Sequence, residues 1–153
     1  MWNKNKSLFL SRVLTWVGAI MTLFMMVFVP TIAEWYDTFI DPCGLITNTS
    51  IVLPMSLCMY FCGVMVIGIT VSLYRLLGNI SQERVFIPEN TKCLRRISWE
   101  CMLAGFALLI FSLWRFIFIA FAFVAVFMGL IMRVLKNVFE NAVEIKSEND
   151  YTI

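Results

Sequence analysis

Residues 101–132 read CMLAGFALLIFSLWRFIFIAFAFVAVFMGLIM, and Arg115 is the one charged side chain among them. Whether this stretch is one helix or two decides the fold. A single helix of 32 residues would be roughly 48 Å long at 1.5 Å per residue. The hydrocarbon core of a bilayer is only about 30 Å thick. A straight crossing would also strand Arg115 in lipid, which is costly. Extending to the flanking apolar positions gives Leu94–Leu135, enough for two spans with a tight hairpin at Ser112–Phe116. Arg115 then anchors at the membrane interface, beside Trp114.

The rest of the chain follows the same logic. Apolar residues make up 61% of the 153 residues and charged residues 14%, against about a quarter in soluble domains. Mean hydropathy is +0.85. The length suits one domain. An apolar run at Val13–Ala33 and another at Ile51–Leu73 each match a span, the second with Pro54 in its first turn, where a missing N–H costs little. Asp41-Pro-Cys-Gly44 signals a turn between them. The expectation is an all-α integral membrane four-helix bundle with spans at about 12–33, 51–74, 94–113 and 116–135 and a tail over 136–153. The first apolar run is too long for a cleavable signal peptide.

Charge sets the direction. Lys4, Lys6 and Arg12 precede the first span; Arg75, Arg84, Lys92, Arg95 and Arg96 lie between spans two and three; Arg133, Lys136 and Lys146 follow span four. Eleven of twelve basic residues therefore fall on one side, with Arg115 opposite. The positive-inside rule puts both termini in the cytoplasm of a multi-pass plasma-membrane protein. The outer loop carries Glu34, Asp37 and Asp41, a feature ordinary for that side. Trp35, Tyr36 and Trp114 mark the outer interface, Tyr74 and Trp99 the inner one.

Catalytic chemistry finds little to work with. Histidine is absent, which removes His-based triads and His metal sites. The five cysteines form no CxxC, and Cys58 and Cys62 on one helix face read as packing residues. No enzyme activity, cofactor or metal is expected. Glu100 follows Arg96 by four positions; the bland reading is an interfacial pair, the sharper one a proton or cation site. Asn48-Thr-Ser50 matches the glycosylation pattern and carries little weight. Gly18, Gly63, Gly68, Gly105 and Gly129 suit close helix approach.

Two cytoplasmic stretches stand out. Pro88 followed by Glu89 marks a helix start, after which Lys92, Arg95 and Arg96 descend to the membrane. The last helix is expected to run past the membrane, with Lys136, Glu140 and Glu144 along one face, ending in Glu148-Asn-Asp-Tyr-Thr-Ile153. Two roles are open to this acidic end: Glu148 and Asp150 pair with Arg95 and Arg96, or either patch receives a protein.

RVFIPENTKCLRRISWE (84–100), two adjoining spans and a terminal ENDYTI (148–153) together resemble a family of small four-span bacterial membrane proteins of uncharacterised function. Its members show Phe-Thr-x-Glu-Asn and Leu-Arg-x-Ile before helix three and end on Glu-Asn-Asp-Leu-Thr-Ile. Phe86, Glu89, Asn90, Leu94, Arg95 and Ile97 fit the first part; Glu148, Asn149, Asp150, Thr152 and Ile153 fit the second. Ile87 stands in place of the usual Ser or Thr cap and Tyr151 in place of Leu. The family's genes often pair with a Cro/CI-like helix-turn-helix regulator. The resemblance therefore implies a membrane partner that holds or signals to a cytoplasmic DNA-binding protein, without itself touching nucleic acid. The partner surface would be Phe86, Glu89, Asn90, Leu94, Arg95 and Arg96 with the terminal Glu148, Asn149, Asp150, Tyr151, Thr152 and Ile153. Immunity against a membrane-active peptide and a small transporter or channel are the alternatives. A homo-oligomer is compatible with each.

Overall fold

The computed structural model describes residues 4–41, 43–47 and 49–151, and of residues 4, 5 and 149–151 the backbone alone. Five helices account for most of it: α1 Lys4–Val27, α2 Val29–Phe39, α3 Val52–Ser81, α4 Pro88–Phe111 and α5 Phe118–Tyr151. Three stretches, Lys6–Val27, Val52–Ser81 and Phe118–Glu148, are long and apolar enough to cross a membrane. α4 is less apolar because Glu89, Lys92, Arg95, Arg96 and Glu100 occupy its first half.

The first apolar run is not one helix. Pro30 has no N–H to donate and crowds the carbonyl four residues back, so the helix breaks just before it. Phe28 leaves helical geometry (φ −93°, ψ 3°) and α2 restarts at Val29. The long stretch from 101 does divide in two: α4 ends at Phe111, and a turn over 112–117 leads into α5. Pro88 starts α4 with Ile87 as an N-cap that makes no side-chain bond, and Glu89 sits in the first turn.

Packing departs from the expected bundle. α1 contacts α3, α3 contacts α4, and α4 contacts α5, while α2 folds onto α3. Neither α1 with α4 or α5, nor α3 with α5, makes a comparable contact. The long helices stand in an open row with α4 in its interior. The α4–α5 seam is the closest: a Cβ on Gly105 would lie 3.1 Å from the Ala122 carbonyl oxygen, and one on Gly129 3.1 Å from that of Ser98. Ser98 donates across this seam to the Gly129 carbonyl at 2.7 Å. Gly18, by contrast, faces open space. The row leaves α1 mostly uncovered, with Thr15 its one buried side chain among the described residues.

At the α4–α5 turn the loop after α2 closes the molecule. Leu45 and Ile46 both donate to the Leu113 carbonyl (2.8 and 3.0 Å), and Phe116 donates to that of Cys43 at 2.9 Å. Gly44 permits this approach, since a Cβ there would collide with the Trp114 backbone. Ala33, Ile51, Met55 and Phe111 form a small core beneath. Arg115, read from sequence as an interface anchor, is buried at this turn. It is 3% exposed; its guanidinium lies 3.9 Å from Asp37, donates to the Ile40 and Trp114 carbonyls, and sits over the Tyr36 ring. Asn48 of the glycosylation pattern and Pro42 of the turn signal lie outside the described residues.

Candidate functional site

The residues singled out before α4 come together at the end of the row opposite this turn. α3 terminates there in a Schellman motif: Glu83 donates to Ile80 and Arg84 to Asn79, at 3.0 Å each. Glu83 occupies the left-handed position (φ 62°), where glycine is usual. The chain then turns into Pro88, and one side chain holds the turn. Asn90, fully buried, donates to the Arg84 and Val85 carbonyls (2.9 and 2.7 Å) and accepts from the Asn79 amide at 2.7 Å.

This placement divides the sequence-predicted site. Asn90 and Leu94 are buried, so they support the surface rather than present it. Phe86, Glu89, Arg95 and Arg96 are exposed. Phe86 packs on Phe139 of α5, ring centres 5.8 Å apart. Arg95 reaches Glu140 at 3.5 Å, and Lys136 bonds the same carboxylate. Lys136 holds the Glu140 carboxyl below its ordinary range, with Arg95 adding to the effect. Arg95 is thus engaged by Glu140, one α5 residue that the sequence reading had assigned only to a helix face.

The first turns of α4 and the extension of α5 therefore form one polar platform. Between them lies a groove of about 360 Å³ lined by Arg95, Ser98, Trp99, Arg133, Lys136 and Asn137. The Arg133 guanidinium lies over Trp99, 5.2 Å from the ring centre. Phe139, Glu140 and Arg133 were missed as site residues. The clue was available in the helical spacing of Lys136 and Glu140, which continues α5 past its apolar stretch. α5 runs through Glu148, which is exposed, to Tyr151. The side chains of Asn149, Asp150 and Tyr151, and all of Thr152 and Ile153, lie outside the described residues.

A family model described as "Protein of unknown function (DUF2975)" matches residues 47–153. The chain belongs to this family. The match takes in α3, the platform and the tail, and leaves α1 and α2 outside it. No curated protein and no solved structure matches the chain.

Two other groups bear on chemistry. Glu100 does not pair with Arg96 as expected: no ion pair joins them. Its carboxylate instead lies against Gly68 of α3, with Oε2 buried and lacking a hydrogen-bond partner. No group of three His, Cys, Asp or Glu residues that could hold a metal occurs among the described residues. The five cysteines are unbridged, and the Cys62 thiol faces the Ala104 carbonyl at 3.9 Å, in keeping with packing.

Proposed function

We propose that this chain is a non-enzymatic plasma-membrane protein with four crossings and both termini in the cytoplasm, where it holds or signals to a helix-turn-helix regulator. The joining of α4 to the α5 extension carries the proposal. Phe86 on Phe139 and Arg95 on Glu140 build a surface at one end of the row. That end also gathers Arg75 of α3, Arg84 of the following loop, Lys92, Arg95 and Arg96 of α4, and Arg133, Lys136 and Lys146 of α5, as a cytoplasmic side requires. α5 is roughly 51 Å long at 1.5 Å per residue, well beyond the hydrocarbon thickness, so its last turns stand in the aqueous phase. The mixed charge of the platform suits a protein partner by electrostatic complementarity. The regulator's identity rests on the resemblance.

The test is capture of a helix-turn-helix protein of the Cro/CI-like kind that the resemblance implies. Detergent-solubilised full-length protein, a form lacking Glu148–Ile153 and a Glu140→Lys variant are compared. Retention by the full-length form, with at least tenfold loss in the other two, is the expected result. No retention by the full-length form rejects the reading; equal retention by all three rejects the platform.

Glu100 favours a second reading. A half-buried carboxylate without a partner, packed against α3, suits a proton or cation path. Ion flux in liposomes that disappears in Glu100→Gln would move the function to transport. Immunity draws on the other end of the row, where Phe39 and Leu45 are 70% and 72% exposed. Peptide protection lost on substituting these two, and kept without the tail, would support it.

A further inference from the structure

Beside the platform, on the opposite face of α4, a second cavity lies between the last turns of α3 and the first turns of α4. It measures about 520 Å³, and Arg75, Lys92 and Arg96 converge on it from two helices. None of these three is in an ion pair among the described residues. Glu89 is the one carboxylate of the lining, so two positive charges remain unbalanced. Ser72 also lines the cavity; its side chain is 1% exposed and its Oγ has no hydrogen-bond partner. A buried hydroxyl left unpaired is costly, and here it shares a cavity with three cations.

We propose that this cavity binds a phosphate group, supplied by the headgroup of an anionic phospholipid. Phosphate oxygens are strong acceptors that match ammonium and guanidinium donors, with the Ser72 hydroxyl as a further donor. Basic cavities between helices at the cytoplasmic membrane face bind such headgroups. Tyr74 and Arg75 are shared with a neighbouring groove of about 230 Å³ between α1 and α3, lined by Trp16, Ala19 and Val71. That apolar groove gives an acyl chain a path away from the phosphate, which free phosphate would not use. The cavity is distinct from the platform: Arg96 turns to α3 while its neighbour Arg95 turns to α5.

The experiment follows lipid retention by native mass spectrometry and thermal unfolding of the full-length protein in neutral detergent. Phosphatidylglycerol, phosphatidylcholine and inorganic phosphate are each added. Phosphatidylglycerol should be retained and raise the unfolding temperature, with phosphatidylcholine and inorganic phosphate at equal concentration doing neither. Arg75→Gln, Lys92→Gln and Arg96→Gln should each weaken retention about fivefold, as expected for one cation near a headgroup. Ser72→Ala, which removes only a hydroxyl, should weaken it with the fold intact. Arg84→Gln removes a charge from the same loop outside the cavity and should leave retention within twofold. Equal retention of phosphatidylcholine, or equal losses in Arg84→Gln and Arg96→Gln, overturns the proposal. Stabilisation by inorganic phosphate alone overturns the lipid as its source.

Discussion

Asn90→Ala tests the placement of the α3–α4 loop most directly. The wild-type side chain is fully buried and makes three hydrogen bonds, two to loop carbonyls and one from Asn79. Each is worth about 1 kcal/mol net, and a partner left buried and unpaired costs about as much again or more. The sum is about 3 kcal/mol with partial rehydration of the carbonyls. At ~1.4 kcal/mol per tenfold, the open loop becomes about a hundredfold more populated. Arg84 lies in this loop, is exposed, and offers a trypsin site. When opening is fast relative to cleavage, proteolysis reports the open population. Cleavage after Arg84, mapped by mass in detergent-solubilised protein, should therefore accelerate about a hundredfold. Asn90→Asp should do at least as much, because a carboxylate oxygen would replace the amide nitrogen that faces the two carbonyls. Rates within threefold of wild type for both variants would refute the clamp.

Glu83 sits at a left-handed position, so Glu83→Gly should stabilise the protein by about 0.5–1 kcal/mol, seen as a higher unfolding temperature. A decrease would mean that the side chain matters more than the backbone strain. Arg115→Met should cost about 3 kcal/mol, because Asp37 loses its buried cation and two carbonyls lose donors; unchanged stability would show that the loop closes without it. Glu140 titrates with its carboxyl held down by Lys136. Its ion pairs are therefore complete above the ordinary carboxylate range and are lost as pH falls through the lowered value. A side-chain NMR titration should find its midpoint below the ordinary carboxylate range, and Lys136→Met should return it toward that range.

The sequence made the helix count around residues 101–132 legible because a lone charge and a length limit leave few solutions. It also made Pro88 legible as a helix start, since proline at the first turn loses no bond. Helix ends were less readable. Hydropathy reports where lipid contact stops, not where hydrogen bonding stops, so α3 continues to Ser81 beyond its apolar stretch, whereas the run of α5 past its own was legible from Lys136, Glu140 and Glu144 spaced four apart. Asn90 looked like a docking residue because it is polar and lies in a recurring motif, yet its amide matches the backbone of its own loop. Arg115 looked like a membrane anchor because nothing local shows that Asp37, far back in the chain, folds over it. The row was not legible either, because a buried face and a lipid face can both be apolar.

α4 shows why this last ambiguity matters. It has the lowest apolar content of the four long helices, and by hydropathy alone it would be set aside as a crossing. Like α3, it has neighbours on two sides, and Asn90, Thr91, Leu94, Ile97, Ser98, Ala104, Gly105 and Phe111 are all buried on it. Its small and polar residues lie at the contacts with α3 and α5, where they permit close packing, while Trp99, Leu103, Phe106, Leu109 and Ile110 stay exposed on its free face. α1, at the end of the row, exposes nearly every apolar side chain it has. Hydropathy alone does not separate the interior of the row from its ends: α3, which also has neighbours on two sides, is the most apolar of the four long helices. The charges Glu89, Lys92, Arg95 and Arg96 in the first half of α4 are exposed at the platform end of the row, which our proposal puts in the cytoplasm, so they do not oppose the fourth crossing.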